Sequence, residues 1–425
     1  MTLPLPFDEN PEGDAVERFS CDGDDIVRTV LRRNGNFVES RIPVNGLKWS
    51  SEADLPSQHD LAWLSAKRPP DAMDFPGSPE VRVVDLFAGC GGLSLGVAES
   101  CRAVGKAFVP VLAVDVDERA LGVYKANFPE VEALAEPVET FLDGEIGTAM
   151  TFSERALRKR MGHIDLLIGG PPCQGHSDLN NHTRRRDPRN ELYLRMARFC
   201  EVVRPSNVII ENVPGVLRDH ALAAQRTWTF LESLGYQVST GTINSADVGV
   251  AQSRKRNLTV ASLQVQPSVL SAVADVGRPT RPVDWAIKDL HAHYDPSSIF
   301  DSAPVPSGET LHRITYLFSE GLYDLPDSER PDCHRLKSHT YKSNYGRMYP
   351  DRPAQTITTG FGVMGKGRFV HPHEPRTITP HEAARIQFFP DFFDFGSDGR
   401  IQLQKLIGNA VPPKLGYAVG LHLLR

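Results

Sequence analysis

Pro171-Pro172-Cys173-Gln174 follows directly on an apolar run, Ile164-Asp165-Leu166-Leu167-Ile168, and a glycine pair, Gly169-Gly170. A cysteine on a loop at the end of a buried strand is open to attack an electrophile, and the prolines fix the backbone so that its sulfur points one way. That suits covalent catalysis. A lone cysteine is as often an inert core residue, so its company decides. A second apolar run, Val208-Ile209-Ile210, ends in Glu211-Asn212-Val213-Pro214-Gly215, which sets an acid in an enclosed position suited to proton donation. Gln252-Ser253-Arg254-Lys255-Arg256, in a stretch that reads as two later strands, puts Arg254 and Arg256 on one face by period-two alternation, as candidate clamps.

Another turn has the chemistry of a cofactor site. The run Val81–Val84 leads into Asp85-Leu86-Phe87-Ala88-Gly89-Cys90-Gly91-Gly92-Leu93 and then an amphipathic stretch from Ser94. Glycines between a strand and a helix let backbone N–H groups approach a nucleotide-like ligand at the helix N-terminus. The next strand, Leu112-Ala113-Val114, ends in Asp115, where ribose hydroxyls would sit. Ser94 stands where the dinucleotide fingerprint needs its last glycine. The pattern therefore speaks against a nicotinamide and leaves room for a cofactor without a pyrophosphate.

The elements that must position these residues are legible. Val81–Val84, Val109–Val114, Ile164–Ile168 and Asn207–Ile210 are strand-like runs alternating with amphipathic stretches. This predicts an α/β fold with a mostly parallel sheet over 81–260. The carboxyl ends of such strands form the ligand crevice, so Asp85, Asp115, Cys173 and Glu211 are expected to face one cavity. Residues 1–80 read as an extension with a Pro-rich linker and no chemical signature, and 261–351 as a smaller irregular domain. Residues 352–425 return to complete the first domain. There Thr379-Pro380-His381-Glu382 is a capping box with proline at the first helical position.

Composition narrows the class. With 425 residues, 40% of them hydrophobic, the chain can bury more than one domain. Its formal charge of −6 disfavours nonspecific polyanion binding, although a local basic patch sets the field at a groove. Cysteines at 21, 90, 101, 173, 200 and 333 form no Cys-x-x-Cys pair, which argues against a disulfide framework or zinc ribbon. Cys333-His334 and His339 are a poor metal set, and no metal is expected. No apolar segment has the length of a membrane span, and a cytoplasmic location is expected.

Taken together, Asp85–Gly96, Ala113–Asp117, Gly169–Ser177, Asp187–Tyr193, Glu211–Gly215, Gln252–Arg256, Arg352–Gly360 and Gly408–Pro413 resemble, in order, the motifs of DNA cytosine-5 methyltransferases of the bacterial modification type. The resemblance implies a Rossmann-like methyltransferase fold with a target-recognition domain at 261–351. It also implies S-adenosylmethionine as cofactor, held by Phe87, Gly89, Gly91, Gly92, Asp115, Val116, Pro171, Leu192, Asn409 and Val411. Cys173 would add to C6 of a cytosine flipped out of double-stranded DNA, Glu211 would act at N3, and Arg254 and Arg256 would orient O2 and the cysteine loop. The segment His176–Asn190, with Arg184-Arg185-Arg186, would close over the site. His339, Tyr341, Lys342, Asn344, Tyr345 and Arg347 would read the groove. A monomer is expected, working beside restriction or antiviral defence proteins. An RNA (tRNA) methyltransferase of the same fold and a non-catalytic nucleic-acid-binding relative are the competing readings.

Overall fold

The computed structural model describes residues 16–44, 54–70, 77–172, 191–219, 221–336 and 343–425. Cys173, the segment His176–Asn190, His339, Tyr341 and Lys342 lie outside them. Near the start, β1 (Glu17–Asp22), β2 (Asp25–Leu31) and β3 (Phe37–Pro43) form a three-stranded antiparallel sheet, followed by helix α1 (Leu55–Ser65).

The predicted runs become strands of one seven-stranded sheet: β4 (Glu80–Leu86), β5 (Ala107–Val114), β6 (Glu132–Leu134), β7 (Leu166–Gly169), β8 (Asn207–Asn212), β9 (Gln237–Asn244) and β11 (Lys255–Ser262). A two-residue strand, β10 (Gln252–Ser253), pairs separately with β12 (Ala354–Gln355). The order is β6-β5-β4-β7-β8-β11-β9, parallel except that β11 runs against both neighbours. This agrees with the expected mostly parallel sheet. β7 and β8 are buried at every residue, as a strand covered by helices on both faces must be.

From β4 the chain proceeds outward to β5 and β6, then crosses back to place β7 on the other side of β4. Open α/β sheets open their ligand crevice at such a reversal. Here it lies between β4 and β7, with Leu86 opposite Gly169, and β8 places Ile210 beside Gly169. The glycine turn, the cysteine loop and Glu211 therefore leave three adjacent strands at one edge.

Alternation along the strands divides the core. Val81, Val83, Leu166, Ile168 and Ile209 pack on one face, and Val84, Leu86, Leu167, Val208 and Ile210 on the other. The first face is covered by α2 (Gly92–Ala103), α7 (Val269–Val276), α8 (Val283–Ile287), α11 (Pro380–Ile386), α12 (Arg400–Asn409) and α13 (Pro413–Leu424); the second by α4 (Phe152–Met161), α5 (Leu192–Val203) and α6 (Ala223–Ser233). α3 (Glu118–Asn127) packs through Leu121 and Tyr124 beside β5. The capping box at Thr379 forms as predicted, with Thr379 and Glu382 each closing on the other's backbone N–H.

α13 lies so close along α2 that a Cβ on Gly96 would collide with the Pro413 carbonyl, and one on Gly416 with the Leu93 carbonyl. Glycine is required for this approach. It brings the Val411 carbonyl down onto Gly92, so the C-terminal segment closes the glycine turn from above.

Val16, Ile26, Val30, Ile42, Trp63 and Leu64, all before residue 80, lie in the main core, and so do Val269, Val276, Val283 and Ile287 after residue 261. A smaller separate cluster joins Ile314 and Leu317 of α9 (Gly308–Ser319) to Leu325, Met364 and Val370. Two residues expected to read a groove are used for packing there. Arg347 donates to the Pro372 carbonyl at 2.8 Å and lies over the rings of Phe318 and Tyr323, while Tyr345 packs against that cluster. A long basic side chain with planar stacking partners serves a small core as readily as a groove.

Candidate active site

β4 ends in a tight turn. Phe87 has φ +61 and Gly91 φ +91, both left-handed. Glycine takes that conformation freely, whereas Phe87 is held there at a cost, a kind of strain that collects at functional sites. The turn is tied to its neighbour strand: Ala88 N–H donates to the Val114 carbonyl at 3.0 Å, and Gly89 N–H to Asp115 Oδ2 at 2.9 Å. Asp115 Oδ1 accepts from Asp117 N–H, also at 2.9 Å. One carboxylate thus braces both strand ends, with lone pairs remaining for a ligand.

Asp85 departs from expectation. It does not face a cavity: it is 1% exposed, accepts from Ser94 Oγ at 2.7 Å, and Ser94 Oγ in turn meets Tyr124 OH at 2.8 Å. The hydroxyl that breaks the dinucleotide fingerprint therefore satisfies a buried acid. Burial pushes the Asp85 carboxyl up to about 8, with the Asp115 charge adding to the effect and the Ser94 hydrogen bond opposing it. Its ordinary value is 3.8. The native state therefore keeps a proton that the unfolded chain loses, and stability falls as pH rises from about 4 toward 8. Asp85→Asn imitates the protonated form. We expect its melting temperature to exceed that of the wild type by a margin that grows from pH 6 to pH 8.5 in a thermal-shift series; a constant offset would show that the group is ionised throughout.

Beyond the turn, Val116 is 71% exposed at the mouth of an open cavity of about 510 Å³, whose other lining residues are Asp117, Glu118, Arg119, Gln402 and Lys405. Lys405 Nζ closes on Asp117 Oδ2 at 2.6 Å. Among the described residues nothing stands within 4 Å of the position a Cβ on Gly89 would take, so the turn is uncovered there. Asn409 is exposed at the end of α12 and Val411 is half-buried against Gly92. An exposed apolar side chain with carboxylates and a lysine around an open cavity fits a nucleoside with a charged tail.

At the end of β8, Glu211 is 8% exposed, and Arg256 Nε meets its Oε1 at 2.6 Å. A Cβ on Gly170 would sit 3.4 Å from Glu211 Oε2, so the carboxylate overhangs the start of the cysteine loop. Asn212 Nδ2 donates to the Pro171 carbonyl at 3.2 Å and fixes where that loop begins. Leu192 opens α5 on its far side. The two arginines part company. Arg254 is 3% exposed and donates to the carbonyls of Ile357 at 2.9 Å and Gly408 at 3.2 Å. It thereby ties the C-terminal segment to the start of β11, while Arg256 reaches the acid. Burial pushes the Cys90 and Cys101 thiols up to about 12, which leaves them inert at neutral pH.

Residues 81–425 match the family model of C-5 cytosine-specific DNA methylases. The chain is also 47% identical, over 97% of its own length and 96% of the relative's, to the type II methyltransferase M1.BsuMI of Bacillus subtilis. The chain belongs to the C-5 cytosine-specific DNA methylase family. A second relative, the type II methyltransferase M.DdeI of Desulfomicrobium norvegicum, is 26% identical and covers 80% of this chain and 87% of its own. The methyltransferase fold recurs in the solved structure of Dnmt2 from S. pombe, at TM-score 0.56 and 18% identity over 81% of this chain and 98% of that one. As a member of this family the protein is an enzyme that transfers a methyl group from S-adenosylmethionine to C5 of cytosine in DNA. No helix among the described residues is long and apolar enough to cross a membrane.

Sequence reasoning missed the Asp85–Ser94–Tyr124 network and the separate tasks of Arg254 and Arg256. It also missed a cluster of His291, His371 and Glu374 with metal-like spacing. Both ring nitrogens of His371 are already engaged there, Nδ1 by the N–H groups of His373 and Glu374 and Nε2 by Glu382, so the cluster is not preorganised for an ion.

Proposed function

We propose that the enzyme works by covalent catalysis on a cytosine flipped out of a specific sequence in double-stranded DNA. The reading is carried by Glu211, held by Arg256 over the glycine pair that leads into the Cys173 loop, on the strand edge shared with the glycine turn. S-adenosylmethionine supplies an electrophilic methyl group when bound. Phe87, Gly89, Gly91, Gly92, Asp115, Val116, Pro171, Leu192, Asn409 and Val411 are proposed to hold it.

Cytosine C5 is a weak carbon nucleophile, so the ring must be enriched before methylation. The Cys173 thiolate adds to C6 while Glu211 bonds to or protonates N3, which lets the ring accept the charge. C5 then takes the methyl group. Loss of the C5 proton to a base or water expels the cysteine thiolate, breaking the S–C6 bond and restoring the aromatic ring, and a proton given to N3 returns to Glu211. Arg256, in contact with Glu211, is proposed to turn toward the O2 edge of the base, and Arg254, bonded to the Gly408 carbonyl, to keep the C-terminal wall in register. The target atom is closed off inside a duplex, so extrusion of the base is part of the proposal. Target recognition is assigned to 261–351, of which Ile314, Leu317 and Leu325 join Met364 and Val370 in a small cluster apart from the main core.

By analogy with its type II relatives, we propose that the protein acts as a cytoplasmic monomer in a restriction–modification or related antiviral defence system. Expression in a host without cytosine methylation, followed by bisulfite sequencing of DNA and RNA, tests this. The expected result is 5-methylcytosine at one short DNA sequence throughout the genome. Methylation confined to RNA, or scattered without sequence preference, would overturn it.

A further inference from the structure

The family match begins at residue 81, yet the segment before it is bound to the catalytic body by buried charge. Asp60 on α1 and Lys414 in the first turn of α13 are both buried, with Lys414 Nζ 2.6 Å from Asp60 Oδ1. Around this pair, Arg278 lies 2.8 Å from Glu17 and 3.7 Å from Asp60. Arg28 of β2 reaches Glu99 of α2 at 2.9 Å and Tyr417 OH of α13 at 3.1 Å. β1, β2 and α1 thus hold the two helices that border the cofactor side: α2, which begins at the glycine turn, and α13, which begins just after Val411.

Lys414 stands where a cation is least favoured. A helix N-terminus carries partial positive charge, and burial depresses the lysine's pKa further, with Asp60 opposing that loss. Such a residue is kept in place by its partner. Three residues earlier, the Val411 carbonyl rests on Gly92, and between them Pro413 packs against Gly96 with no room for a methyl group. A tightly packed seam transmits displacement rather than absorbing it. Movement of the first turn of α13 must therefore move the wall formed by Asn409 and Val411 against the glycine turn.

We infer that Asp60 and Lys414 are a positioning pair for the cofactor site, through which the N-terminal sheet and α1 set the distance between the glycine turn and its C-terminal wall. This rests on the proposal that Gly91, Gly92, Asn409 and Val411 hold S-adenosylmethionine. Buried ion pairs add little net stability over an apolar pair of the same shape, so geometry is the gain.

The test uses the full chain and steady-state methylation of DNA. Asp60→Asn should raise KM for S-adenosylmethionine about tenfold and leave kcat within about twofold, because the target-base side on β7 and β8 is untouched. The single variant leaves Lys414 buried without its partner, so it is paired with Asp60→Asn/Lys414→Met, which carries neither charge. The double variant should melt near the wild type and still show the raised KM, while Asp60→Glu restores most of the affinity. A wild-type KM in the double variant, with KM raised by Asp115→Ala, would show that the pair serves stability alone and overturn the inference. If Asp115→Ala also leaves KM unchanged, the assignment of the cofactor site fails, and the positioning role with it.

Discussion

Cys173→Ser is expected to lower single-turnover methyl transfer to DNA by at least about 10⁴-fold, the scale on which removal of a catalytic nucleophile acts. A serine hydroxyl is not ionised at neutral pH and cannot add to C6 of an unactivated ring, whereas a cysteine near its ordinary pKa is partly thiolate. Binding of S-adenosylmethionine should be unchanged, since Cys173 is not among the residues proposed to hold it. Titration calorimetry for the cofactor and transfer of a tritiated methyl group to DNA separate the two effects. A duplex with 5-fluorocytosine at the target position adds a positive signal. Fluorine cannot leave C5 as a cation, so the wild type should accumulate a complex stable to denaturation, and the serine variant none. Substantial transfer by the variant would refute the covalent route.

The second large effect is expected at Glu211. Glu211→Gln keeps the shape and loses the ability to donate or hold a proton, and it should lower kcat by about 10²–10⁴-fold, the usual worth of a general acid or base. KM for S-adenosylmethionine should stay close to the wild-type value. Because Arg256 Nε meets Glu211 Oε1 at 2.6 Å, the two residues act through one contact. A double-mutant cycle with Arg256→Ala should therefore be strongly non-additive. Additive losses would mean that the pair seen here separates before the base is bound and that each side chain works alone. Arg256→Lys is not a mild change, because an ammonium lacks the planar fork needed to span a carboxylate and a ring oxygen.

Much of the fold could be read from local pattern. Runs such as Leu166-Leu167-Ile168 and Val208-Ile209-Ile210 are buried on both faces, so their unbroken apolar character was a direct signal of central strands. The capping box at Thr379 was equally legible, since every group in it lies within four residues. The reversal between β4 and β7 was not. Pairing Leu86 with Gly169 joins positions 83 residues apart, and no local periodicity records which strands become neighbours.

Arg254 and Arg256 illustrate the same divide at the site. Alternation predicts one face for both, and nothing in five residues says that one guanidinium meets the Gly408 carbonyl and the other Glu211. Asp85 is similar. As a strand-end carboxylate it read as a ligand for the crevice, but Ser94 and Tyr124 close over it. The metal-like grouping of His291 and His371 escaped notice because its members are 80 residues apart.

By itself the sequence determined which chemistry the protein can carry: a cysteine between prolines and glutamine, an acid after a buried strand, a glycine turn, and the order of motifs that identifies a cytosine methylase. Those features are local, set by backbone freedom and side-chain type within a few residues. Tertiary structure alone decided the partners. It put Arg256 on Glu211, sealed Asp85 away from the crevice, and fastened a segment with no chemical signature to α13 through Asp60 and Lys414. Burial is the physical reason. Whether a charge is a ligand, a strut or a lock depends on the desolvation and the counter-charge it meets, and those come from residues far away in the chain.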